Sequence, residues 1–325
     1  HRLEQQAVNQ PNVQYILAVE EPEAFLHPQK QRELYQDILS TQTSNLKIIV
    51  TTHSPYLVSD TSFSKIGLVR RNELHSSLHV PDVANAKEEE MFDAYSSEVN
   101  SVLLFADKVV LVEGESDARV LRVMLEKKFG PKSHRISVLS ASGNQNFSPF
   151  LRMLKAWSSA RIPHLVVTDF DSLIKSTDRA ILAGAKAAGY VLKSETSFHA
   201  KIDGAVDKGE EEFSKVAKEA TAYFADADLN VFVFTSDLEF SLITKSNFLD
   251  AAKILSATAT NNVDYTKGYD IADIRRQLGS KGVPLNPMNN APFKRPFVHR
   301  KVAQTIDISD AHPDWDRLLS FVESM

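Results

Sequence analysis

What most constrains this chain is a series of short, continuous apolar runs alternating with helical patterns. The runs are Tyr15 to Val19, Lys47 to Thr51, Lys65 to Val69, Lys108 to Val112, Ile136 to Leu139, His164 to Thr168 and Val231 to Phe234. Runs of this length, rich in β-branched and aromatic residues, predict strands buried on both faces. Amphipathic spacing predicts helices over roughly Pro28 to Ser40, Asp117 to Phe129, Phe147 to Ser158, Ile174 to Ala188 and Glu210 to Phe224. Strand, helix and strand in succession imply parallel pairing, hence an α/β class. The polar, acidic span from Arg70 to Glu98 reads as a connection between two such units, ending in a helix that leads into Val109. No internal repeat is present.

The 325 residues, 43% of them hydrophobic, suffice for one large core or two ordinary ones. No window approaches the ~18–20 apolar residues of a membrane helix. The chain has no cysteine, which excludes disulfides, thiolate zinc sites and a cysteine nucleophile, so any metal is held by oxygen or imidazole. A reducing, cytoplasmic location is the expectation, since no export-like leader follows His1. A formal net charge of -5 argues against coating nucleic acid through bulk positive charge but leaves room for a local basic groove.

Ile16-Leu17-Ala18-Val19-Glu20-Glu21-Pro22 sets two carboxylates at the C-terminal end of a strand, where ligands sit in open α/β sheets. A later strand ends in Thr51-Thr52-His53-Ser54-Pro55, which brings a histidine to the same edge. The phrases EEPEAFLHP and TTHSP resemble the Walker B strand, D-loop and switch histidine of ABC-type ATPases. That resemblance implies a magnesium-binding role for Glu20, a catalytic base at Glu21 and a γ-phosphate sensor at His53. The phosphate loop GxxxxGKS/T is absent from these residues. The chain is therefore expected to hold only the C-terminal part of such an ATPase, a piece of a longer protein. ATP would be bound by the intact protein and not hydrolysed by this piece alone.

The densest chemistry lies further on. The run ending at Val112 continues as Glu113-Gly114-Glu115-Ser116-Asp117, and the run ending at Thr168 continues as Asp169-Phe170-Asp171-Ser172. Glu113 at a strand end, Asp117 opening a helix, and Asp169 and Asp171 on one side of an extended segment would crowd four carboxylates together. Each acid has a bland reading as a helix cap. The paired set points instead to hard divalent ions, Mg²⁺ or Mn²⁺, as counter-charge. The turn Ser140-Ala141-Ser142-Gly143-Asn144 is either a phosphate-lining loop or a simple turn.

LVEGESDARVL and VVTDFDS resemble the glutamate and DxD motifs of Toprim domains. An ATPase C-terminal part followed by a Toprim domain resembles the OLD (overcoming lysogenisation defect) nucleases, including Gabija-type anti-phage relatives. Thr235-Ser236-Asp237-Leu238-Glu239-Phe240 is similar to the DLE phrase of that family, which adds Glu239 as a ligand, with Ser236 or Asp237 assisting. The family also brings a late lysine to the scissile phosphate. Lys294 fits that place and Lys301 is the alternative, both within a segment of basic residues interleaved with Phe293, Phe297 and His299 that suits a nucleic-acid strand.

The resemblance thus implies an endodeoxyribonuclease that nicks or cleaves DNA, with two Mg²⁺ or Mn²⁺ ions about 4 Å apart held by Glu113, Asp117, Asp169, Asp171 and Glu239. The expected domains are 1–80 (ATPase part), 81–104 (connection) and 105–325 (Toprim nuclease). A homodimer through the ATPase part and a helicase partner are further expectations. Three alternatives are a topoisomerase, which needs a nucleophilic tyrosine, a primase-like polymerase, and a non-catalytic dimerisation module of an ABC-type ATPase.

Overall fold

In the computed structural model the chain divides into two compact units, His1–Phe105 with Ala156–Ala160, and Ala106–Lys155 with Arg161–Met325. The residues described are 7, 9, 12–41, 44–71, 74–95, 97–143, 146–174, 179–206, 210–235, 238, 240–258, 264, 266–268 and 296–325. Among them, no helix is long and apolar enough to cross a membrane.

In the first unit β1 (Tyr15–Glu20) and β2 (Leu46–Thr51) pair in parallel, with α1 (Pro28–Thr41) as the crossover. Proline at the first helical position is pre-set for the helix and lacks an N–H that would go unpaired. Burial on both faces, expected for these strands, is not found. Alternate residues face outward, leaving Ile16 69% and Ile49 58% exposed, because among the described residues nothing covers that face. The strand expected over Lys65 to Val69 is displaced: Phe63–Lys65 forms a 3-10 turn and β3 (Leu68–Arg71) follows it. The polar span after Arg70 is more than a connection, since α2 (Pro55–Ser59) and β3 are followed by a return strand, β4 (Ser76–His79), antiparallel to β3, and by α3 (Ala86–Tyr95) and α4 (Glu98–Phe105). Its polarity misled because a two-stranded ribbon buries little. The unit's core is aromatic, with Phe63 against Phe92 at 4.4 Å and against Trp157 at 5.7 Å between ring centroids.

The second unit is built on four parallel strands. These are β5 (Lys108–Val112), β6 (Ile136–Ser140), β7 (His164–Thr168) and β8 (Val231–Val233), in the spatial order β6, β5, β7, β8. The crossovers are α5 (Glu115–Phe129), α6 (Phe147–Ala156), and the succession α7 (Ala180–Ala187), α8 (Glu195–Val206) and α9 (Glu210–Ala225). Beyond β8 come α10 (Phe248–Thr258), α11 (Pro296–Thr305) and α12 (Pro313–Ser324). The helix expected from Ile174 begins later, because Phe170–Leu173 is a 3-10 helix that Ile174 closes.

Here the continuous apolar runs are buried on both faces, as their composition requires. Val110 and Val112 pack with Val120, Leu121 and Met124 of α5 and with Trp315, Leu318 and Val322 of α12. Val109 and Leu111, on the opposite face, are equally buried. The chain leaves β5 toward β6 on one side and returns to β7 on the other. That reversal opens a crevice beyond the C-terminal ends of β5 and β7, the place where open parallel sheets bind ligands.

Candidate active site

Val112 lies opposite Val167 in the ladder, so Glu113 and Thr168 are neighbours across the crevice. The Thr168 hydroxyl hydrogen-bonds Glu113 Oε1, and the main-chain N–H of Asp169 also reaches this carboxyl. Thr168 Oγ1 meets Ser172 Oγ at 2.7 Å, and Ser172 Oγ donates to the Asp169 carbonyl at 2.9 Å. Both hydroxyls are buried. Each carries one proton, so with Ser172 committed to Asp169 the Thr168 proton serves either Ser172 or Glu113.

Burial first, then the negative charges of Asp171 and Asp117, push the Glu113 carboxyl up to about 7 against the opposing pull of Thr168 and the Asp169 N–H. Asp117 is raised to about 6, again mainly by burial, with Asp171 adding to it. Asp117 also has the role its bland reading assigned: its Oδ2 accepts the Gly114 N–H at 2.8 Å and caps α5. Asp169 and Asp171 do not lie on one side of an extended segment. Asp169 is extended, but the chain then turns into the 3-10 helix that carries Asp171 and buries Phe170. Asp169 Oδ1 instead accepts the Leu238 N–H at 2.9 Å.

In the turn after β6 the N–H groups of the described residues are spent inside the chain, as in a simple turn. Its Ala141 N–H goes to Val112 O, Gly143 N–H to Glu113 O at 2.8 Å and Ser142 N–H to Ser140 Oγ at 3.1 Å. Gly143 has φ +133°, a backbone state that suits glycine. The turn thus holds the main chain of Glu113.

Glu113, Asp117 and Asp171 therefore share one electrostatic field at the crevice, and Asp169 borders it. An all-oxygen set of half-buried acids, of which Glu113 and Asp117 resist ionisation, fits a hard divalent cation. Among the described residues, however, no three acidic or histidine side chains already stand together as a metal site. Glu239, Ser236, Asp237, Asn144 and Lys294 lie outside the described residues. Lys301 is an exposed residue of α11, which packs on α5.

In the first unit Glu21 and His53 do meet, Oε1 to Nε2 at 3.4 Å, with Glu21 at φ 40° and Glu20 exposed at the end of β1. Glu23 ties this edge together. Its buried Oε1 accepts the Thr52 hydroxyl at 2.6 Å and the His53 N–H at 2.8 Å.

Sequence reasoning also missed Thr168, Ser172 and Asp314. The first carried a faint signal, a hydroxyl closing an otherwise apolar strand just before two acids.

A parallel sheet with acids at its switch point, preceded by a strand pair ending in Glu21 and His53, defines a class: an ATPase-type segment followed by a Toprim domain. Residues 104–171 match the family model of the overcoming lysogenization defect protein-like TOPRIM domain, and residues 1–58 match that of the AAA ATPase domain. The chain is thus OLD-like over residues 104–171 and similar to AAA ATPase domains over residues 1–58, and the expected α/β class holds.

It is similar to the "Endonuclease GajA" of Bacillus cereus, at 24% identity over 48% of this chain and 26% of that protein. It is also similar to the "OLD nuclease" of Thermus scotoductus, at 29% identity over 47% of this chain and 30% of that one. The matches thus span less than a third of these curated relatives. Among solved structures, the C-terminal region of the Xanthomonas campestris pv. campestris OLD protein aligns at 18% identity and a TM-score of 0.45, over 68% of this chain and 94% of that one.

Proposed function

We propose that the second unit is a divalent-metal-dependent endonuclease that hydrolyses phosphodiester bonds in DNA, with Mg²⁺ or Mn²⁺ held by Glu113, Asp117, Asp169, Asp171 and Glu239. The observation that carries this reading is the gathering of Glu113, Asp117 and Asp171 beyond the ends of β5 and β7, where burial and the charge of Asp171 push Glu113 up to about 7 and Asp117 up to about 6. Functional crevices are where such shifts gather, and the similarity to nucleases supplies the reaction class. When bound, two such ions would supply an activated water and charge relief at the departing 3′ oxygen. The chain's own contribution is to hold its carboxylates rigidly: Thr168 and the Asp169 N–H orient Glu113, and the Gly114 N–H orients Asp117. Lys294 or Lys301 would hold the scissile phosphate.

The domain reading follows the same lines, with 1–80 an ATPase part, 81–104 a connection and 105–325 the nuclease. Glu20, Glu21 and His53 would serve ATP in the intact protein. Pairing through the ATPase part, a helicase partner and a cytoplasmic setting complete the proposal.

The test is a supercoiled-plasmid assay with Mg²⁺, Mn²⁺, Ca²⁺ and EDTA on this chain and on Glu113→Ala. Nicking with Mn²⁺ or Mg²⁺ that EDTA abolishes, and a drop of at least about 10²-fold in Glu113→Ala, is the expected result. Nicking that survives EDTA would refute the reading. A covalent protein–DNA adduct would favour the topoisomerase alternative.

A further inference from the structure

The end of β8 is held by two carboxylates from distant parts of the second unit. Phe234 N–H donates to Thr168 O at 2.9 Å, continuing the ladder with β7. One residue on, Asp314 Oδ2 accepts the Thr235 N–H at 2.8 Å and the Thr235 hydroxyl at 2.7 Å. Asp169 Oδ1 then takes the Leu238 N–H.

Asp314 is only 2% exposed, and a carboxylate so buried must be fully hydrogen-bonded to persist. Its other oxygen accepts from Arg317 Nη1 at 2.6 Å, and its own N–H donates to His312 Nδ1 at 3.3 Å. The Arg317 guanidinium in turn lies over the Phe232 ring, 4.9 Å from its centroid. Asp314 is thereby fixed from both sides: Thr235, just beyond β8, supplies two donors, and Arg317 of α12, lying over the Phe232 ring of β8, supplies the third.

Resting on the nuclease reading, we infer that Asp314 is a positioning residue for the metal centre. It fixes Thr235 next to Phe234, whose N–H bonds the carbonyl of Thr168, and the Thr168 hydroxyl holds Glu113, a proposed ligand. The Asp314 carboxylate acts through this ladder of Thr235, Phe234 and Thr168. Support of this kind around ligands carries 10- to 100-fold in metal affinity or activity in known sites.

The experiment compares the unaltered chain with Asp314→Ala and Thr235→Val. Mn²⁺ binding is followed by calorimetry and plasmid cleavage is titrated with Mn²⁺. Asp314→Ala is expected to weaken Mn²⁺ binding by about tenfold or more. The Mn²⁺ concentration for half-maximal cleavage should rise by the same factor, the rate should recover at saturating Mn²⁺, and KM for DNA should stay unchanged. Thr235→Val keeps the side-chain shape and one of the two ties, so a shift of about threefold is expected, and this variant decides the matter if Asp314→Ala does not fold. A lowered melting temperature with unchanged Mn²⁺ affinity in both variants would make Asp314 a stabilising residue only and overturn the inference while sparing the nuclease reading. An unaltered chain that neither binds Mn²⁺ nor nicks DNA overturns both.

Discussion

Asp169→Asn is expected to slow metal-dependent nicking by about two orders of magnitude or more while melting close to the unaltered chain. The two halves of that result separate two roles of one carboxylate. Asp169 Oδ1 accepts the Leu238 N–H, and an asparagine keeps an oxygen there to accept it. What it loses is the negative charge that a divalent ion requires. Asp169→Ala removes both, and should be slower still and less stable by about 1–3 kcal/mol, because the N–H of buried Leu238 is left without its acceptor. Plasmid nicking and thermal melting of the two variants, side by side, check this. If Asp169→Asn cuts DNA at the ordinary rate, Asp169 is an anchor for the β8 exit and nothing more, and its place among the ligands is wrong.

The double duty of Asp169 also marks how far sequence reached. Buried parallel strands were legible in the second unit because β5 and β7 are apolar on both faces. The acids were legible because each follows such a strand, and the strand end fixes them at the sheet edge. What each acid bonds to was not. Asp117 caps its own helix, a local fact that spacing alone leaves open, and Asp169 ties to Leu238, sixty-nine residues away. Asp314 looked like any acid in the first turn of a helix behind proline, and its bond to Thr235 exists only once α12 packs beside β8. In the first unit the apolar runs of β1 and β2 read as fully buried strands. Apolar composition on both faces records a need for cover, and the residues described supply cover on one face alone.

The metal-free chain should lose stability as pH rises from about 4.5 to 7, and divalent cations should restore it most strongly at the upper end. The sign follows from the crevice acids. Glu113 ionises at about 7 in the folded chain and Asp117 at about 6, both above ordinary carboxylate values, because burial and Asp171 disfavour their charged forms. Between the unfolded and folded values the folded chain therefore holds protons that the unfolded chain has released. Unfolding in that window releases protons, so raising the pH favours it. The stabilisation is complete below the unfolded values and gone above about 7, amounting to a few kcal/mol at most once the coupling to Asp171 is counted.

Cation binding draws on the same protons in the opposite sense. A carboxylate must be ionised to ligate, so Mn²⁺ affinity should climb through pH 6 and 7 and level off above, with proton release that shrinks over the same range. Calorimetry in two buffers of different ionisation enthalpy measures that release directly. Glu113→Gln provides the control, since a neutral amide mimics the protonated acid. It should melt higher than the unaltered metal-free chain at pH 8, show a flatter pH dependence, and gain little from Mn²⁺. A metal-free melting temperature that is flat or rising between pH 5 and 8 would show that Glu113 and Asp117 ionise in the ordinary carboxylate range, and the crowding of negative charge that burial and Asp171 impose on them would be wrong.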